Sequence, residues 1–101
     1  LVLDWTIDGS KDPGECTATG AATLNVALYN SVGGFSGQWA QACSAFATTI
    51  TGLVPDTYTG SANLLDAAGN PRTTSVSLAP FAVVAGIAAT VPIDFPINSF
   101  F

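Results

Sequence analysis

The chain has 101 residues, the length of one ordinary domain, and 49% of them are hydrophobic, enough for a single packed core. Only 9% are charged, against roughly a quarter in an average globular protein, and Lys11 and Arg72 face seven carboxylates for a net charge of −5. A field of that sign repels a phosphate backbone and excludes nucleic acid as a partner, and no run approaches the roughly 18 to 20 unbroken apolar residues of a spanning helix.

A two-residue alternation of apolar and polar side chains recurs along the chain, bounded by Gly, Pro, Asn and Asp, which is the pattern of half-buried strands. The first segment, Leu1 to Ile7, puts Leu1, Leu3, Trp5 and Ile7 on one side and Asp4 and Thr6 on the other. Gly9 to Gly20 reads as a long polar loop with Lys11, Asp12, Pro13, Glu15 and Cys16, and no helix is expected anywhere. The second strand, about Ala21 to Asn30, turns Leu24, Val26 and Leu28 inward and Thr23, Asn25 and Tyr29 outward, ending in the turn cluster Asn30-Ser31-Val32-Gly33-Gly34. A weaker, Gly-interrupted third strand from Phe35 to Ala42 carries Trp39, and Cys43 leads into a fourth from Ser44 to Thr51, with Phe46, Thr48 and Ile50 on a common face.

Gly52 to Asp56 is the turn into the fifth strand, Thr57 to Leu65, which points Tyr58, Gly60, Ala62 and Leu64 one way. Asp66-Ala67-Ala68-Gly69-Asn70 is a hairpin loop with Gly where a positive φ is needed. The sixth strand, Arg72 to Leu78, sets Thr74, Val76 and Leu78 against Thr73, Ser75 and Ser77. The longest alternation comes next: Ala85, Ile87, Ala89, Val91, Ile93 and Phe95 on one face, Gly86, Ala88, Thr90, Pro92 and Asp94 on the other. Pro92 and Pro96 cannot donate to a ladder, which places this last strand at an edge or at a bend. About seven short strands with turns every 8 to 12 residues or so predict one domain over residues 1–101, an all-β, two-sheet Greek-key sandwich of immunoglobulin-like type.

Cys16 and Cys43, an even count in a small charge-poor β domain, read as one disulfide made in an oxidising compartment, the alternative being two buried free thiols. Neither His nor a Cys-x-x-Cys spacing is present to complete a zinc site. The absence of Met, with Leu1 already strand-like, points to an excised or processed segment.

Thr51 to Ala68, with Gly-Leu-x-Pro-x-x-Tyr-Thr followed by an apolar strand and then Asp-Ala-x-Gly-Asn, resembles the prealbumin-like sandwich domains grouped with carboxypeptidase regulatory-like and collagen-adhesin B-type repeats. With Trp5, the cysteine pair and the central apolar strand added, the whole chain resembles uncharacterised exported or lipoprotein modules of myxobacteria and their relatives. The resemblance implies that Leu53 and Tyr58 fill the core where the sheets cross, and an extracytoplasmic location in the periplasm, on an outer-membrane lipoprotein or outside the cell. It carries no catalytic residue. Asp56 stands where such domains usually have Gly, which leaves the turn type open.

Four constellations could carry chemistry. Tyr29, Phe35, Gln38 and Trp39 could form an aromatic patch that stacks on sugar rings, against the plainer reading that Trp39 and Phe35 fill the core. Asp8, Asp12 and Glu15 offer hard oxygen ligands for calcium, but in no EF-hand spacing, and a solvated acidic loop is the default. Lys11, the only lysine, lies in a loop after the first strand, the wrong place for the isopeptide bond of some adhesin repeats. Asp4 and Asp94 are a conceivable carboxylate pair, yet nothing in the sequence raises either pKa, and no Ser-x-x-Lys or Gly-x-Ser-x-Gly occurs. The terminal Pro96 to Phe101 either docks on its own sandwich or adds to a partner. The expectation is therefore a non-enzymatic structural or protein-interaction module of a bacterial envelope or secreted protein. It needs no cofactor and no catalytic residue, and meets another protein or a second copy through an edge strand; a carbohydrate-binding module is the alternative.

Overall fold

The computed structural model describes residues 1–87 and 89–101. Seven strands form two sheets: β1 (Val2–Ile7), β2 (Thr23–Tyr29), β3 (Phe35–Ala42), β4 (Ala47–Thr49), β5 (Asp56–Leu65), β6 (Val76–Val83) and β7 (Thr90–Phe95). One sheet has the order β4-β1-β7 and the other β3-β2-β5-β6. The larger sheet is antiparallel throughout. In the smaller, β1 is antiparallel to β4 but parallel to β7, with register running from Val2 opposite Thr90 to Ile7 opposite Phe95. Neighbours β2 and β5 are joined through β4 of the opposite sheet, the Greek-key crossing expected of a sandwich.

Alternation sets the core. Leu3, Trp5 and Ile7 of β1, Leu24, Val26 and Leu28 of β2, Tyr58, Ala62 and Leu64 of β5, Leu78 of β6, and Ile93 and Phe95 of β7 are buried between the sheets. Each large aliphatic or Phe buried this way stabilises the fold by about 1.5 to 3 kcal/mol. Trp5 is fully buried and donates its indole N–H to the Cys43 carbonyl at 3.1 Å.

The segment from Gly9 to Gly20, expected as loop, contains a short helix, α1 (Pro13–Thr19). Its ends carry ordinary start and stop signals. Asp12 caps the N-terminus by accepting from the Gly14 N–H, Pro13 opens the first turn, and Gly20 closes the helix in the left-handed conformation, donating to the Cys16 and Thr17 carbonyls. Seven residues are too few for a helical period to stand out against the strand pattern around them. Arg72 fastens the far end, its guanidinium donating twice to the Thr19 carbonyl at 2.9 and 3.1 Å.

Three strand boundaries also differ from expectation. The fourth strand shrinks to β4, because Cys43–Ala45 is a 3₁₀ turn and Phe46 takes a left-handed φ of 56°; Phe46 and Ile50 are nonetheless buried. β6 starts at Val76, since Thr73 turns inward and its hydroxyl accepts from the Leu64 N–H at 3.0 Å. The long final alternation is broken by a turn from Val84 to Ile87 with Gly86 at φ 77°, leaving Ala85 and Ile87 exposed, and only Thr90–Phe95 forms the last strand. Ala88, placed in that alternation, lies outside the described residues.

Candidate functional site

Strand directions sort the loops to two poles of a body 38 × 22 × 21 Å in extent. At one pole lie α1, the Cys43–Ala45 turn, the Asp66–Asn70 turn and residues 96–101; at the other lie the turns at 30–34, 51–55 and 84–87. Cys16 of α1 and Cys43 form a disulfide with Cα atoms 6.1 Å apart, stapling the β1–β2 crossover to the β3–β4 crossover at the first pole. No helix among the described residues is long and apolar enough to cross a membrane.

The four residues of the aromatic patch do not share a face. Tyr29 and Phe35 are exposed on the outer face of the larger sheet, ring centroids 5.8 Å apart and edge to face. Gln38 is on that face too, donating to the Asn25 side chain at 2.7 Å, and Asn25 in turn donates to Asn63 at 3.4 Å. Trp39 pairs with the buried Val26, so its side chain falls on the core side of β3, where it is half-buried and packs against the interior. The outer face retains an edge-on aromatic pair beside amides bonded to each other.

The acidic loop does not close on a cation site. Asp12 is committed to the helix cap, and no three Asp, Glu, Cys or His among the described residues are arranged to hold a metal ion. Lys11 folds back onto the Asp4 carboxylate in an exposed ion pair, far from the role of an isopeptide lysine. Asp94 accepts from the Thr6 hydroxyl at 2.6 Å and the Gly9 N–H at 3.0 Å, so Asp4 and Asp94, on adjacent strands of one outer face, are each engaged by other groups.

Of the two residues expected in the core, Tyr58 is there and Leu53 only borders it. Tyr58 is buried, stacked on Phe81, and its hydroxyl donates to the Val54 carbonyl at 2.5 Å; Leu53 is half-buried against the core. Asp56 ends the turn, and its carboxyl is held below the ordinary Asp range first by the Ser31 hydroxyl and then by the Thr57 N–H. The residues after β7 dock on their own sandwich: Thr74 N–H donates to the Ser99 carbonyl and Phe101 N–H to the Arg72 carbonyl, both at 2.9 Å, leaving the Phe101 ring exposed.

Between the free edges of β6 and β7 the sandwich opens into a cleft of about 400 Å³, lined by Val76, Leu78, Phe81, Val91 and Ile93. Asp94 is the one ionisable residue on its wall, so no pair of acids converges there. The free edge of β7 is blunted. Val2 and Asp8 N–H groups donate to the Ala89 and Phe95 carbonyls, so odd-numbered residues of β7 face β1 and even-numbered ones, Pro92 among them, face outward. Pro92 therefore removes a donor from the open edge. The edge of β3 carries neither proline nor charge over eight residues.

Sequence periodicity gives no weight to Val32, Val54 and Val84 and sets Ile87 on a strand face, yet all four are exposed in three turns of the same pole. Their signal is aliphatic side chains in turns, where polar residues are the norm. No protein-family model, curated protein or solved structure matches the chain.

Proposed function

We propose that the chain is a non-enzymatic structural module of an exported bacterial envelope protein, prealbumin-like in its sandwich, whose task is to transmit tension between its first strand and its last. The observation that supports this reading is the parallel pairing of those two strands. β1 enters at one pole and β7 leaves at the other, so tension between them acts along the strands. Six residue pairs from Val2–Thr90 to Ile7–Phe95 then resist together in shear, instead of opening one after another. Thr6 and Gly9 on the β1 side add hydrogen bonds to Asp94 at the leaving end. The disulfide supports an oxidising location and removes the 27-residue span between its cysteines from any extension. Pairing with another protein would use the uncharged edge of β3.

Single-molecule stretching by the two ends tests the reading. A distinct force peak is expected, with an extension after it that grows by about 90 Å when the disulfide is reduced, at roughly 3.4 Å per released residue. Asp94→Ala is expected to lower the peak. Smooth extension without a peak would remove the mechanical role.

A further inference from the structure

Charge and exposed apolar surface are segregated to opposite ends of this molecule. Of the nine charged side chains, Asp8, Lys11, Asp12, Glu15, Asp66 and Arg72 lie at the disulfide pole, and Asp4 and Asp94 on the outer face of the smaller sheet. Asp56 alone is at the other pole. Of the eight exposed large hydrophobic residues among those described, six lie at or next to that other pole: Val32, Val54, Val84 and Ile87 in its turns, and Tyr29 and Phe35 on its shoulder. Val32 is 88% exposed, Val54 72% and Ile87 67%. A patch that gathers most of a domain's exposed large apolar side chains marks a surface that works away from water.

The backbone of the turn that carries Val32, the most exposed of these residues, is internally hydrogen-bonded. In the turn after Asn30 all four N–H groups have internal partners: Ser31 with the Asp56 carboxylate at 3.4 Å, Val32 and Gly34 with the Asn30 side-chain oxygen at 3.2 and 2.8 Å, and Gly33 with the Asn30 carbonyl at 3.0 Å. The Ile87 N–H likewise donates to the Val84 carbonyl at 3.2 Å. Asn-capped turns of this kind are common in water as well, and in an apolar phase the pairing matters more, because each unpaired backbone group there costs several kcal/mol. The lone acid is consumed in the same network, and the amino group of Leu1, also at this end, donates to the Ile50 carbonyl.

From this we infer that the pole carrying the 30–34, 51–55 and 84–87 turns inserts into the surface of a lipid bilayer with zwitterionic headgroups of no net charge. The aliphatic residues stand on three separate turns, as projecting points suited to a fluid phase. Tyr29 and Phe35 lie just behind them, and the Tyr29 ring, apolar with a hydroxyl tip, is of the kind that favours the headgroup boundary. The near absence of charge at the tips fits a lipid surface of no net charge, and the absence of any basic side chain there argues against recruitment by anionic lipid. The carboxylates at the far pole stay in water. Insertion of this pole does not depend on whether the strands transmit tension.

Flotation with phosphatidylcholine vesicles tests it directly. The wild-type chain is expected to rise with the vesicles, with binding unchanged between low and high salt because insertion is apolar. Val32→Asp with Ile87→Asp is expected to lower partitioning roughly a hundredfold or more, at about tenfold for each of the two aliphatic side chains withdrawn from lipid. Both positions are so exposed that the thermal midpoint is expected to stay at the wild-type value. Ile97→Asp with Phe101→Asp, at the disulfide pole, is expected to float as wild type. The proposal is overturned if the wild-type chain stays with the soluble fraction, or if the far-pole variant loses as much binding. It is equally overturned if light scattering shows concentration-dependent association that Val32→Asp abolishes while no flotation is seen, since the pole would then be a protein interface.

Discussion

Breaking the Cys16–Cys43 bond tests the architecture most directly, because its cost follows from chain length alone. The cysteines are 27 residues apart, and closing a loop of that size lowers the entropy of the unfolded chain by an amount worth about 3.6 kcal/mol at 25 °C. That is a large part of the roughly 5 to 15 kcal/mol that holds a domain folded. Both cysteines are buried, so the reduced thiols stay in apolar surroundings, and most of the effect belongs to the unfolded state. At about 4 to 8 °C per kcal/mol for a domain of this size, the thermal midpoint should fall by roughly 15 to 30 °C. Urea unfolding monitored by tryptophan fluorescence is a suitable assay, since Trp5 bonds the Cys43 carbonyl and reports on that pole. The reduced protein should also unfold with a steeper urea dependence, because the freed chain exposes more surface. A loss below about 1 kcal/mol with an unchanged slope would refute the reasoning, and Cys16→Ala with Cys43→Ala should reproduce the loss without a reductant.

Three further perturbations have defined outcomes. Gly60→Ala should destabilise by about 1 to 3 kcal/mol or more, since its Cβ would stand 2.4 Å from the Ala27 carbonyl oxygen of the neighbouring strand, which cannot retreat without parting β2 from β5; an unaltered urea midpoint would contradict that spacing. Tyr58→Phe keeps the buried ring and loses only the bond to the Val54 carbonyl, for about 1 kcal/mol, whereas Tyr58→Ala should cost about 3 to 5 kcal/mol; equal losses by chemical denaturation would mean the ring is not in the core. Because the Asp56 pKa is depressed on folding, its contribution to stability is full above the unfolded value of 3.8 and is lost as pH falls through the lower folded value. Asp56→Asn should therefore flatten the acid limb of a stability-against-pH curve, and an unchanged limb would count against the turn contact.

The sequence by itself determined the period. Side chains two residues apart share a face in any extended chain, so the inward sets on β1, β2 and β5 could be read without coordinates, as could the positive φ of Gly69 and the edge position that Pro92 imposes on β7. The pairing of the two cysteines was equally open to reading, since chemistry and count left one partner for each. Strand ends were not. Phe46, Thr73 and Ile87 continue an alternation on paper, and only contact with Trp5, with Leu64 or with Val84 decides where the ladder stops. The same holds for Trp39, whose side of β3 depends on pairing with Val26, and for the apolar pole, whose members come from turns some twenty to thirty residues apart. Alternation along a strand is a property of one backbone, whereas register, chain direction and the gathering of distant turns belong to strands meeting, and only the tertiary structure holds that information.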